Sequence, residues 1–341
     1  MAGLFGDTFD GYATADILQK WDAMTGATIA SNGRNSTNAL NLSNFSTKFV
    51  RKTVTPSGTT GVAGAAVYIG TLPDFIATLF AVYDSAGTVQ LTLAVNPTTG
   101  VLTVCRGAAL GTTVATSSVG LSAAAYHYVE FKWTIHNSTG AVEVRINNTT
   151  VATASGIDTQ NSALTNWTTF QVGASIFDAT GADIRIDDLY LLDGSGSDNN
   201  TFLGPVRGVR TLPDGAGNST DFTPSAGSNF QNVDDASQDG DSTYNSETTP
   251  GDHDTYTFGA LGVTGVVKMV QINMVVRSDG GGAETIASML RIGGTDYQGT
   301  TQGVSTSYLD KRQVYDISPA TSVPFTLSEL DGAEVGQKLV S

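Results

Sequence analysis

Hydrophobic and polar positions alternate along most of this chain with a period of two, the spacing of a β-strand with one dry and one wet face. The clearest case runs from Tyr126 to Asn147. His127, Val129, Phe131, Trp133 and Ile135 share one parity against Glu130, Lys132 and Thr134; after Asn137-Ser-Thr-Gly140, Val142, Val144 and Ile146 alternate with Glu143 and Arg145. Turn-forming residues between two alternating runs predict an antiparallel hairpin. Similar runs recur from Ala27 to Leu192, and Asp84-Ser-Ala-Gly87 and Asn96-Pro-Thr-Thr-Gly100 join three of them in a meander. Helical spacing is confined to Thr14–Trp21, with Thr14 read as N-cap, and to one turn near Pro324–Asp331. There Thr326 and Glu329 have the spacing of a capping box.

This pattern predicts an all-β protein: an amino-terminal two-sheet sandwich over residues 1–195 and a second, smaller β-sandwich-like domain over 201–341. A length of 341 residues exceeds what one core usually supports. The tract Asp193-Gly-Ser-Gly-Ser-Asp-Asn-Asn200 breaks the alternation, and its 196–200 portion reads as the linker. Pro213–Asp254 reads as polar loop, followed by strands at Thr255–Leu261, Val266–Ser278, Thr285–Ile292 and Gln313–Ile317.

Charge narrows the function classes. Seventeen Lys and Arg stand against 32 Asp and Glu, a net charge of -15, with no basic run, so direct nucleic-acid binding is not expected. No apolar run approaches a membrane span, and the start lacks a basic segment followed by an apolar core. The expectation is a chain made in a cytoplasm, without membrane insertion. Cys105, the single cysteine, sits in the alternating run Val101–Arg106 and reads as a small buried thiol.

The meander Ala77–Arg106, followed by the hairpin with its Val-x-Phe-x-Trp strand and Val-x-Val-x-Ile-Asn return, resembles the concanavalin-A-like or laminin-G-like jelly roll. Asp7-Thr-Phe-Asp-Gly-Tyr12 and Ile186-Asp-Asp-Leu-Tyr-Leu-Leu-Asp-Gly194 resemble the first and last strands of such domains in tailed-bacteriophage virion proteins. Phe202–Arg207, Asp239–Tyr244 and Pro324–Val340 are similar to the second domain of the same group. The resemblance implies a non-enzymatic structural component of a virion, in the tail, fibre or capsid surface. Such a protein would be homo-oligomeric and work through contacts with other virion proteins. The alternative is a lectin-like module that recognises a host-surface glycan.

The chemistry-bearing residues fit that expectation. Glucanases on this fold need alternate carboxylates of the form Glu-x-Asp-x-Glu on one strand face. The nearest approach here is Asp183-x-Arg-x-Asp187, read as a neutralised wet face, and Glu130 and Glu143 are read as cross-strand partners of Lys132 and Arg145. No His-x-His, His-Glu-x-x-His, P-loop or Gly-x-Ser-x-Gly pattern occurs. Among the aromatics, Trp167 is the candidate for stacking on a sugar, and Trp133 reads as core. No cofactor is expected apart from calcium. Asp235, Ser237 and Asp239 have the one, three, five spacing of a calcium loop, with Glu247 standing one residue beyond the usual bidentate position.

Overall fold

A computed structural model describes residues 2–43, 47–175 and 183–341. The chain is almost entirely antiparallel β-sheet and divides into two compact units, one of residues through Asp10 with Thr14–Gly208, the other of Gly11–Ala13 with Val209–Ser341. The division falls after Gly208, so both the 196–200 linker tract and Thr201–Gly208 belong to the first unit.

The first unit is a sandwich of an eight-stranded and a seven-stranded sheet. The eight-stranded sheet is ordered Thr149–Ile157, Gly140–Ile146, Ala125–Thr134, Thr60–Ile69, Ile184–Asp193, Ala39–Asn41 and Thr28–Ala30, with Gly3–Asp7 also paired to Ile184–Asp193. The seven-stranded sheet is ordered Thr112–Gly120, Val101–Arg106, Val89–Val95, Ala77–Tyr83, Thr169–Ser175, Thr47–Thr53 and Ala23–Thr25. The hairpin expected at Tyr126–Asn147 forms in register, Phe131 opposite Val144 and Trp133 opposite Val142.

The dry parity of each sheet meets between them. Trp133 from one sheet stacks on Phe170 from the other, at 6.1 Å between ring centroids and 7° between planes. Phe80 lies 5.3 Å from Phe170. All three rings are fully buried, as is Trp21, whose indole Nε1 donates to Asp7 Oδ2 at 2.8 Å. Cys105 is buried as read from the sequence.

In the second unit a six-stranded antiparallel sheet is ordered Pro213–Thr220, His253–Phe258, Glu334–Leu339, Thr285–Ile292 and Thr295–Gln298, with Gln302–Gly303 on Thr285–Ile292. A ribbon of Val270–Val276 and Leu309–Tyr315 supplies Ile272, Met274 and Tyr315 to a core completed by Ile286, Leu290 and Phe325. The capping box at Thr326 and Glu329 is present and opens the short helix Leu327–Asp331. Two local expectations change. Thr14 does not cap its helix, because its Oγ1 accepts from Ile29 N at 2.9 Å. The stretch read as loop begins with a strand, Pro213–Thr220, whose apolar content is too low to announce it.

Candidate functional site

The outer faces of the two sheets of the first unit differ in cover. The seven strands of the smaller sheet hold no Asp or Glu; of their cations, Lys48, Lys52 and Arg106 are on the inward parity, Lys52 opposite Phe170 and Arg106 opposite Leu91, and Arg51 is on the outer one. Lys52 turns to Asp22 at 3.2 Å, and Arg106 pairs with Asp158. Arg51 has no carboxylate within ion-pair distance among the described residues.

Register places Arg51 on the outside. Phe170 and Val172 point into the sandwich, so Gln171 between them points outward, opposite Arg51 on one neighbouring strand and Ala81 on the other. Tyr83, two residues beyond Ala81, shares that face. Arg51 Nε donates to Gln171 Oε1 at 2.7 Å and its Nη2 donates to Tyr83 Oη at 3.0 Å. Tyr83 Oη in turn donates to Gln171 Oε1 at 2.9 Å, closing a ring of hydrogen bonds. Gln171 Nε2 donates to the Gly173 carbonyl at 3.0 Å. The guanidinium lies between two aromatic rings, 4.6 Å from the Phe49 centroid and 4.5 Å from that of Tyr83. Such cation–π contacts hold a flexible side chain in one pose. Beside this cluster, on the same parity, Ala81, Thr92 and Ala94 are buried, as are Gln171 and Tyr83. The Nη1 group of half-buried Arg51 has no hydrogen-bond partner among the described residues, so the fixed fork keeps donors for a ligand.

The outer face of the larger sheet is covered. Leu203 N donates to Tyr190 Oη at 3.2 Å, Gly204 N to Glu130 Oε1 at 2.9 Å and Gly208 N to Asp188 Oδ1 at 2.7 Å. Arg34 Nη1 donates to the Val206 carbonyl at 2.8 Å and to Asp188 Oδ2 at 3.0 Å. The segment Leu203–Gly208 is therefore a strap over buried Glu130, Asp188 and Tyr190, with Asp187 buried beside them. Burial, then the neighbouring Asp188 charge, pushes the Asp187 carboxyl up to about 8. Burial also raises Asp188. The acids here hold a strap in place and are not a paired-carboxylate site open to substrate.

Several expected residues stand elsewhere than anticipated. Trp167 is fully buried, edge-on to Trp133 at 5.1 Å, and offers no ring face to a sugar. Arg185 pairs with Asp183, but Asp187 is buried rather than wet and accepts from Arg34 N at 2.8 Å. Glu143 pairs with Arg145 along one strand, while Glu130 accepts from Tyr190 Oη at 2.5 Å. The calcium loop does not assemble. Asp239 Oδ2 accepts from Thr243 Oγ1 at 2.9 Å, Asp235 Oδ2 lies 3.4 Å from the same hydroxyl, and Glu247 Oε1 accepts from Thr248 N and Thr249 N, each at 2.7 Å. Ser237 lies between the two aspartates, and among the described residues no group of three or more His, Cys, Asp or Glu side chains is placed to hold a metal. No helix among the described residues is long and apolar enough to cross a membrane.

No protein-family model matches the chain. No curated protein matches it. Among solved structures it is similar to the alginate lyase Aly36B, at 13% identity and a TM-score of 0.43, over 56% of this chain and 97% of that one. It is similar also to the alginate lyase vAL-1 from Chlorella virus, at 8% identity and 0.39, over 53% and 96%. A sialidase from Trypanosoma rangeli matches at 14% identity and 0.35, over 49% of this chain and 27% of that chain. The likeness concerns the sandwich architecture. It corrects the expectation of a non-enzymatic virion component, because these structures are carbohydrate-processing enzymes and not virion proteins, and the exclusion of enzymatic activity is withdrawn with it.

Proposed function

We propose that this protein binds carbohydrate on the outer face of its seven-stranded sheet. The observation that carries the reading is the Arg51, Tyr83 and Gln171 ring, in which buried Tyr83 and Gln171 hold a half-buried guanidinium in place. The planar guanidinium, locked by the buried amide and phenol, offers fixed donors to hydroxyl and carboxyl oxygens. Arg51 is already held by Phe49 and Tyr83, so little side-chain freedom is lost when a ligand arrives. Its setting as a host-recognition module on a virion is a proposal that rests on the sequence resemblance alone.

A glycan array of neutral and acidic oligosaccharides tests the binding, with Tyr83→Phe as the site variant. That change removes one oxygen, frees Arg51 from one of its two hydrogen bonds and keeps the ring. Saturable binding that weakens several-fold in Tyr83→Phe, at an unchanged melting temperature, is expected. Binding to none of the glycans, or binding the variant leaves untouched, contradicts the reading. Assay of the same mixtures for new reducing ends shows whether binding leads to cleavage.

A further inference from the structure

We propose that the strand Val270–Val276 of the second unit is a docking edge for the same strand of a second copy of this chain, paired antiparallel about a two-fold axis at Asn273. Among the described residues this strand belongs to a sheet of two, paired with Leu309–Tyr315 through seven register positions without a shift. An edge strand offers a row of backbone N–H and C=O groups to any extended segment that can match it. Folded proteins guard such edges with charged side chains, proline, bulges or shortness. Val-Gln-Ile-Asn-Met-Val-Val has none of these guards. Its neighbour in the ribbon does, since it carries Asp310, Lys311 and Arg312, and Gln302 Nε2 donates to the Arg312 carbonyl at 2.9 Å. The uncharged edge strands of the first unit, Thr112–Gly120 and Thr149–Ile157, are each broken by register shifts.

The partner is a second copy because the strand is complementary to itself. Pairing about Asn273 sets Val270 against Val276 and Ile272 against Met274 on the parity that packs on the core, and Gln271 against Val275 on the other. Exposed Asn273 meets its own counterpart, and because an amide both donates and accepts, the two side chains answer each other. Exposed Val275 gains cover from Gln271 of the copy. Beyond the strand the same register sets Lys268 against Ser278 and Arg277 against Met269, so no like charges stand opposite one another. Residues 266–278 hold no acid, which keeps the excess negative charge of the chain, -15, out of the contact. One strand from each copy makes a small contact, so the association is weak and depends on concentration.

Sedimentation of the full chain over a concentration series reads the association, with Asn273→Lys alongside and each variant's fold checked by thermal melting. Wild type is expected to shift toward twice the chain mass as concentration rises. Asn273→Lys, which sets two ammonium groups against each other across the axis, is expected to stay at the chain mass. Oxidative cross-linking then tests the register, in a Cys105→Ser background because Cys105 is the single cysteine. Directly opposed residues of an antiparallel pair have Cα atoms about 5 Å apart, within reach of a disulfide, so Asn273→Cys is expected to give a covalent dimer on non-reducing gels. Val275→Cys is expected to give none, because its two copies lie four residues out of register, roughly 13 Å along the strands. Failure of Asn273→Cys to link, a dimer that Asn273→Lys leaves intact, or a link that forms as readily through Val275→Cys overturns the proposal.

Discussion

At the residue scale, two buried aspartates in the same sandwich are pushed in opposite directions by what surrounds them. Burial alone would raise Asp84, but Ser162 Oγ, Thr88 N, Ala86 N and Gln90 Nε2 all donate to its carboxylate and hold it below the usual range. Asp187 accepts hydrogen bonds too, yet burial and the Asp188 charge prevail and raise it from 3.8 to about 8. The folded chain thus retains a proton on Asp187 that the unfolded chain loses near 3.8, so this group's contribution to stability is fully present below that value and is lost as pH rises to about 8. Melting temperatures from pH 5 to 9 should fall with a steeper slope in wild type than in Asp187→Asn. Equal slopes would show that Asp187 is ionised throughout. Neither behaviour is written in the sequence. Asp187 reads there as one side of a wet strand, and what packs on it is the turn around Arg34 and Thr37, far earlier in the chain, whose Arg34 N and Thr37 Oγ1 donate to its carboxylate.

At the element scale the alternation is a faithful guide wherever strands are long and one-sided. The hairpin around Trp133, the meander of Ala77–Arg106 and the buried parity of the core all follow from it. It fails where the backbone departs from the regular pleat. The register shift between Asp187 and Tyr190, with Asp188 at φ 49°, directs Asp188 to the strap although simple alternation would send it inward. It fails also for Trp167, whose preceding Asn and Thr give no sign that the indole closes the core against Trp133. The strand Thr60–Ile69 shows how tightly that closure is made. A methyl group on Gly61 would lie 2.3 Å from Trp133 Cζ2 and 2.6 Å from Trp167 Cζ2, with both indoles fully buried. Gly61→Ala should therefore cost about 1–3 kcal/mol in denaturant unfolding, through overpacking alone, since Gly61 has no positive φ to lose. A neutral effect would mean that the indole pair shifts freely.

At the scale of the whole molecule, the all-β sandwich class was readable from alternation, whereas the candidate site was not. Arg51, Tyr83 and Gln171 lie on three different strands, far apart in sequence and adjacent only through strand order. A signal for them does exist. Gln171 is a polar residue between two large apolar ones, Tyr83 ends a fully buried strand, and acids are missing from every strand of one sheet in an acidic chain. That signal becomes visible only when strands are sorted by sheet, which local periodicity cannot do. The motifs that looked most like chemistry, the Asp235–Glu247 run and Trp167, were local in sequence and did not converge in space.

The most direct measurement is a crystal structure of the full chain with the best-binding array oligosaccharide. The sugar is expected on the outer face of the seven-stranded sheet, with one of its oxygens within hydrogen-bond distance of Arg51 Nη1 and the Phe49, Tyr83 and Gln171 side chains unmoved. A ligand seated on the other sheet, on the strap Leu203–Gly208 or on the second unit, with Arg51 left untouched, would contradict it.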